Sequence, residues 1–539
     1  MKRNTKTILF SLTAILFFVS MSQKLFNFPK LRDLKGVVVE QPMPKLHFGN
    51  FFDGSFQQQT EKHLKQHFGF RPPLIRLYNQ YLWDFYKKTP VGNGVLSFGK
   101  EGWIYEPWVV SDYYQNQYRE HAPDAETMTS MLTKEAWRLF QVQHILESYG
   151  TYLFVSMVPA KDLIYPEHLP ENKDTQFDNE PKISARFFNE AEYTRLGVNH
   201  LNLEQYFLQM KDTADFALFP QTGTHWSKYA CLFAADTMIR YMEDLSGLNM
   251  ENLVIGPREL DDARDPDDDL ESLLNLMRPL PKPQYYYATV TAEPDSTAVK
   301  PKMITIGDSF WWNVVQQLPM QDIFSSYPYW YYNSTIYYDN NHHSVSDVDL
   351  VEELLSADFI NLFYSATQLY RMNNEFTKKA LMALCYDPEE IDSIHAHVEQ
   401  KIRTDLAWME KMRDRANSQN KPLDEVIFNE AQWVIDNNPE RYFPELNDSI
   451  PTKRSKRVEA YISMDSLTFI EQAVEKIIQE LKADETQMES IREKAVKNGK
   501  TIEKALRDDA HWIVNYKLEH GSLKYPTFKH SNSEHYGIQ

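Results

Sequence analysis

Two short stretches hold residue types that can do covalent chemistry. The first, GDSFWW at 307–312, places Ser309 after the apolar run Met303–Ile306 and just before helical spacing that starts near Phe310 or Trp311. A serine in that position can attack an acyl carbon. The backbone at Gly307 and Phe310, at a helix N-terminus, is then suited to steady a developing oxyanion. Serine before a helix is equally a preferred cap, so the residue type alone leaves both roles open. The second stretch, TGTHWS at 222–227, supplies His225. A neutral imidazole can take the serine proton and return it to a leaving group, but only within ~3 Å of the hydroxyl. A polar core histidine bonded to backbone is the plain alternative.

A Ser–His pair is commonly oriented by a carboxylate. Asp308, beside the serine, and Asp215, ahead of FALFP, are the accessory acids nearest in sequence, and a carboxylate from elsewhere is equally compatible with the spacing. The acid-rich run RELDDARDPDDDLESLLNL at 258–276 reads instead as a solvated turn before a helix, whose N-terminus Asp267–Asp269 would favour. Its spacing does not match an EF-hand. Aromatic residues crowd the serine: Trp311, Trp312, Trp330 and several tyrosines, with Trp226 next to the histidine. Such rings suit sugar faces if they line a cleft and core packing if they do not. Lys161 in VPAKDLIYP can contact an anionic polymer or an acyl donor, or close a structural ion pair. The adjacent His342 and His343 lack partners at metal-ligand spacing, and no Gly-rich phosphate loop occurs. The reading therefore includes no metal and no cofactor.

These residues need a frame. TYLFVSMVP, FALFP, KMITIGDSF and DFINLFY read as buried strands, separated by helix-length segments such as 132–149 and the run from Ser227. That alternation predicts an α/β layer with a largely parallel sheet flanked by helices. Ligands in such folds bind beyond the carboxyl ends of strands, where both chemical stretches fall. After about Tyr386 the chain turns polar and helical. Residues 412–435 align without a gap to 491–514, pairing Ala431 with Ala510 and Trp433 with Trp512. Two helical hairpins packed on their Ala and Trp faces, available to a protein partner, are expected.

The net charge of −19 argues against general attraction to nucleic acid or to anionic lipid, and leaves room for a local basic groove. Two cysteines, Cys231 and Cys385, fit buried thiols or a single long-range bridge. MKRNTK followed by the apolar run Ile8–Met21 reads as an export signal or a retained membrane anchor. The organisation expected is thus a signal or anchor at 1–25, a catalytic domain at 26–385 and a helical domain at 386–539.

GTHWS and GDSF, together with FFDGSF…HFGFRPPLIRLYN, GKEGWIYEP and VPAKDLIYPEHLP, resemble the SGNH-hydrolase-like family of exported polysaccharide O-acetyltransferases, over roughly residues 45–370. The resemblance implies a Ser309 acyl-enzyme with His225 as base, a polysaccharide acceptor and a membrane-bound protein that delivers the acetyl group to a periplasmic site. A carbohydrate O-acetylesterase and a degenerate glycan-binding or assembly protein are the alternatives. The family's motif is Asp-x-His-Trp, and Gly223 stands at its aspartate, so the orienting acid is vacant at the expected place.

Overall fold

The computed structural model describes residues 3–519 and 523, apart from 27, 37–39, 89–94, 115–124, 172–184, 340, 366–374, 445–448 and 465. Elements are labelled as follows. The first four helices are α1 (Arg3–Phe26), α2 (Phe48–Phe52), α3 (Ser55–His67) and α4 (Arg71–Tyr86). A short hairpin, β1 (Ser97–Phe98) and β2 (Ile104–Tyr105), leads to α5 (Ala125–Glu147), β3 (Tyr152–Val158) and β4 (His200–Asn202). Next come α6 (Lys228–Ser246), α7 (Asp269–Ser272), β5 (Met303–Gly307) and α8 (Phe310–Gln317). The strands β6 (Tyr329–Tyr331), β7 (Thr335–Tyr338), β8 (Asn341–Ser344) and β9 (Phe359–Ser365) complete one sheet.

That sheet has seven strands in the order β8-β7-β6-β5-β9-β3-β4. The five from β6 to β4 are parallel, and β7 and β8 add an antiparallel edge. The middle of the five parallel strands is β9, every residue of which is buried, paired with β5 on one side and β3 on the other. Apolar runs without polar alternation are what a strand covered on both faces requires. The faces are separated by the two-residue period. Leu153 and Val155 point into one layer with Leu139, Ile304 and Leu362, whereas Phe154 and Val158 join Trp226, Phe310 and Phe363 in the other. FALFP, expected as a strand, is irregular; its Leu218 and Phe219 are nevertheless buried, so apolarity there serves the core without a ladder.

Gly307 closes β5 where the chain passes β9 most tightly. A Cβ at this position would stand 2.2 Å from the Phe363 carbonyl oxygen. No side chain fits that gap without moving backbone.

Helices α9 (Phe376–Cys385), α10 (Pro388–Thr404), α11 (Leu406–Gln419) and α12 (Leu423–Asn437) share the first core layer, which runs unbroken from Ile360 through Leu384 and Ile402 to Ile427. Helices α13 (Ser466–Ala483), α14 (Glu485–Lys497) and α15 (Ile502–Glu519) hold a core of their own around Ile478, Ile491 and Val514. The internal similarity extends to backbone detail. Asn420 and Gly499, one repeat apart, both end the first helix at positive φ (52° and 63°). The amides that follow close on Ala416 and Ala495 at 3.0 and 2.9 Å. Arg415–Glu430 and Lys494–Asp509 form matching ion pairs between the two helices of each hairpin. The Trp part of the packing expectation is corrected: Ala431 and Ala510 are fully buried, but Trp433 and Trp512 are 59% and 65% exposed. A small residue lets paired helices approach, and the indoles point away from that seam. Both cysteines are buried and neither is in a disulfide.

Replacing Gly307 by Ala should cost at least ~2 kcal/mol, since the obstacle is a strand carbonyl rather than a movable side chain. Urea unfolding of Gly307→Ala against wild type measures this, and an unchanged midpoint would show that the β5–β9 approach is looser than described.

Candidate active site

Ser309 sits at the turn between β5 and α8, at the carboxyl edge of the sheet. Its hydroxyl makes no cap bond to α8. The neighbouring carboxylate does that work: Asp308 Oδ1 accepts from the Phe310 amide at 3.1 Å, and Oδ2 accepts from the Ser365 amide at 2.7 Å. Burial raises the pKa of the Asp308 carboxyl, partly offset by those two amides. Asp308 therefore ties β5 to β9 and starts the helix, rather than serving as the accessory acid. With capping handled by its neighbour, Ser309 Oγ is left facing His225 Nε2 at 2.9 Å.

His225 is held by what flanks it. Trp226 is fully buried against Phe207, Phe310 and Phe363, so it is core and not a sugar platform. Ser227 caps α6, accepting from the Ala230 amide at 3.1 Å and donating to the Ala217 carbonyl at 2.6 Å. The imidazole is thereby fixed between a rigid helix start and the strand-edge turn.

Behind the imidazole stands a carboxylate that spacing did not single out. Asp269 Oδ2 lies 3.2 Å from His225 Nδ1, at ion-pair distance though off the line of a well-aligned hydrogen bond. Alignment of this kind is often incomplete before substrate binds. Asp269 Oδ1 accepts from the Thr224 amide at 2.8 Å, and the Glu271 amide donates to the Thr222 carbonyl at 3.2 Å. These two bonds straddle Gly223. A Cβ on residue 223 would stand 2.7 Å from the Asp267 carbonyl oxygen and 2.8 Å from Pro220 Cγ. The missing side chain is thus the space through which the 267–269 segment reaches the histidine. The acid-rich run is largely exposed ahead of α7 over residues 258–265, as expected, but not throughout: Asp267 is buried, accepting from the Tyr287 hydroxyl at 2.8 Å. Asp215, the other expected acid, is bonded to Arg258 by two contacts on the surface and does not reach the site.

The three groups open into a cavity of about 530 Å³. Its aromatic lining comes from Tyr105, Trp108, Phe310, Tyr331 and Tyr332. Trp311 and Trp330 are fully buried in the two core layers, and Trp312 packs on Tyr329 and Tyr337 outside the cavity lining. Sequence crowding could not tell these rings apart, because alternate positions on one strand or helix face opposite layers. The missing side chain of Gly307 serves the approach of β9, and the Phe310 amide is already bound to Asp308.

Lys161 borders the cavity but points its charge inward. Its Nζ donates to the carbonyls of Ile104, Gln221 and Gly223 at 2.7, 2.9 and 2.9 Å, and lies 4.9 Å from the ring centroids of Trp103 and Tyr105. Burial pulls its pKa down to about 7, with Asp269 and Glu106 pulling the other way. Three acceptors need three N–H groups, which only the ammonium has. Lys161 thus staples the turn before His225 to β2. Glu106, absent from the sequence-level candidates, also lines the cavity. Burial raises its carboxyl pKa, opposed by a hydrogen bond from Trp108 and by His225 and Lys161.

Residues 96–318 match the sequence model of a family described as "SGNH hydrolase-like domain, acetyltransferase AlgX". This part of the chain carries an SGNH hydrolase-like domain, and it includes Lys161, His225, Asp269 and Ser309. No curated protein sequence matches the chain. Among solved structures, the O-acetyltransferase domain of Pseudomonas putida AlgJ is similar at 14% identity, TM-score 0.35, over 53% of this chain and 98% of that one. Pseudomonas aeruginosa AlgX gives 13%, TM-score 0.35, over 52% and 65%, and Bacillus cereus PatB1 gives 11%, TM-score 0.31, over 51% and 97%.

Glu106 supplies a pH test. Folded Glu106 keeps its proton where the unfolded chain has already released it, so folding takes up a proton in the window just above the ordinary carboxylate value of 4.5. Its contribution is present below that value and lost as pH rises through the folded pKa. Glu106→Gln should therefore gain stability relative to wild type as pH climbs from 4.5 toward neutrality, read as urea midpoints across that range. A difference that stays flat with pH would remove the buried-acid description.

Proposed function

We propose that the chain is an exported O-acyltransferase that moves an acetyl group onto hydroxyls of a polysaccharide through an ester on Ser309. The observation that supports this most is the approach of His225 Nε2 to Ser309 Oγ at 2.9 Å, with Asp269 Oδ2 at 3.2 Å behind the same ring. Nucleophile, base and orienting acid then come from three separate segments and meet at one cavity wall.

In the first half-reaction His225 takes the proton from Ser309 as Oγ attacks the acetyl carbonyl carbon. The tetrahedral intermediate collapses, the bond to the donor's leaving group breaks, and His225 returns the proton to that group. In the second, His225 takes the proton of a glycan hydroxyl, whose oxygen attacks the Ser309 ester. The sugar ester forms, the Oγ–acyl bond breaks, and the proton goes back to Ser309. Asp269 keeps Nδ1 protonated and the ring in register, and its charge offsets the imidazolium. The oxyanion lies near the N-terminus of α8, where the Ser309 amide is the candidate donor. The flat faces of Trp108, Tyr331 and Tyr332 suit a sugar acceptor and keep bulk water from the ester, favouring transfer over hydrolysis. A membrane-bound protein that presents the acetyl group completes the reading.

The test is a mass measurement of purified protein after incubation with an activated acetyl ester. Wild type should gain one acetyl group on Ser309 and Ser309→Ala none; wild type that never acylates with several donors sinks the proposal. Asp269→Asn should slow acylation by up to about 10⁴-fold, the loss found when the orienting acid of a Ser-His-Asp triad is replaced by its amide, while Asp215→Asn should leave the rate within about twofold because a paired surface charge contributes little. Competition between water and an oligosaccharide for the acyl-enzyme then separates transferase from esterase.

A further inference from the structure

Helix α4 is apolar on the side on which none of the described residues packs. Leu74, Leu77, Tyr78, Tyr81 and Phe85 recur at helical spacing and form one stripe, and all are exposed, Leu77 at 57% and Phe85 at 73%. The opposite side carries polar groups and is the docked one. Arg76 donates to the Arg32 and Asp33 carbonyls at 2.8 and 2.6 Å, and Asn79 Nδ2 donates to the Leu274 carbonyl at 2.8 Å. Gln80 Oε1 accepts from the Arg278 amide at 3.0 Å, and Asp84 pairs with Arg278 at 2.7 Å. A surface helix of a soluble domain turns its apolar side to the core; here Ile75, Leu82 and Trp83 join those polar groups on the docked side, and a second apolar stripe is still left facing outward.

Charge indicates what meets the stripe. Residues 1–88 contain 14 Lys and Arg against 5 Asp and Glu, a net of +9. The whole chain is −19, which leaves −28 for the remainder. Within this basic segment Lys45, Lys62, Lys87 and Lys88 are exposed, alongside further exposed rings at Phe48, Phe52 and Phe68. The start of α4 also lies beside α1, another helix of exposed apolar residues such as Phe18 and Phe26. Gln23 near the end of α1 accepts from the Phe70 amide at 3.2 Å, directly before α4 begins. Among the described residues no helix is long and apolar enough to cross a membrane.

We propose that α4, with the exposed Lys87 and Lys88 at its C-terminal end, is an interfacial contact for an anionic phospholipid surface. Apolar side chains on one face and basic ones beside them are what a helix lying in the headgroup region needs, and each basic residue near such a surface adds attraction that salt weakens. A second copy of the chain would set this net-positive segment against itself, which disfavours it as the occupant. The strongly acidic remainder is repelled by the same lipid, so the charge division also orients the molecule. Since Asn79 holds Leu274 and Leu273 lines the cavity, the contact would set the active-site wall at a fixed attitude to the bilayer. The inference does not depend on acyl chemistry, and a catalytically dead variant serves its test equally.

The native cysteines are both buried, so a single introduced thiol can be labelled in the full chain. Tyr78→Cys, or Leu74→Cys should the first fold poorly, carries an environment-sensitive dye; Val254→Cys, on the exposed strand Asn252–Ile255, is the control. Vesicles of phosphatidylcholine alone are compared with vesicles of one part phosphatidylglycerol to two of phosphatidylcholine. The dye on α4 should shift to the blue and be quenched by headgroup spin label only with the anionic vesicles, lose most of that response in high salt, and leave the control unmoved. Adding Leu77→Glu and Phe85→Glu should weaken the response about tenfold or more with helix content and unfolding midpoint unchanged. A water-like dye at position 78 on anionic vesicles overturns the proposal. So does an equal response to neutral lipid, or a blue shift that follows protein concentration without lipid, the mark of a protein partner covering the stripe.

Discussion

The segment 267–269 lies against residue 223, and the site depends on that approach. It is a backbone-to-backbone fit: the Asp267 carbonyl occupies the volume a Cβ would need, and the Thr224 and Glu271 amides close bonds on either side. Any side chain at 223 would push the segment away and carry Asp269 with it. The glycine and the distant aspartate are thus two halves of one arrangement. The turn that carries the histidine is gripped from the other direction by Lys161, whose three donors hold the carbonyls of Ile104, Gln221 and Gly223. Between the loop on one side and the ammonium on the other, the imidazole has little freedom to leave the serine.

The sheet supplies the other coordinate. Parallel pairing of β9 with β5 sets the height of Ser309, and the Asp308 carboxylate locks that height by bridging the Phe310 and Ser365 amides. A buried acid used in this way frees its neighbour's hydroxyl from capping. Position in the chain makes Asp308 look like the partner of the histidine. Its burial between two amides makes it the partner of the backbone instead.

Much of this was legible in the residues. Long apolar runs identified the central strands, the GDS turn identified the sheet edge, and the gapless alignment of 412–435 with 491–514 identified the hairpins, whose left-handed residues Asn420 and Gly499 came only with the structure. FALFP misled because burial and ladder pairing both select apolar residues. The tryptophans misled because side chains one position apart on α8 reach different neighbours: Trp311 enters the core and Trp312 packs on tyrosines of β6 and β7. Glu106 and Trp108 gave no local pattern, since their part in the cavity comes only from the fold bringing them opposite Ser309. The one available signal for Asp269 was indirect, a glycine where an acid was expected and a run of three aspartates elsewhere.

By itself the sequence determined what is local or periodic: the strands, the helices, the serine at a strand end, the histidine before a capped helix, the division into a basic first segment and an acidic remainder. Those follow from side-chain spacing and charge, which are written along the chain. Only the tertiary structure decided which carboxylate stands behind His225, which aromatic rings see the cavity and which side of α4 is left bare. Each of these is a distance between segments tens of residues apart, set by how closely backbone can pass backbone, and no spacing along one chain encodes it.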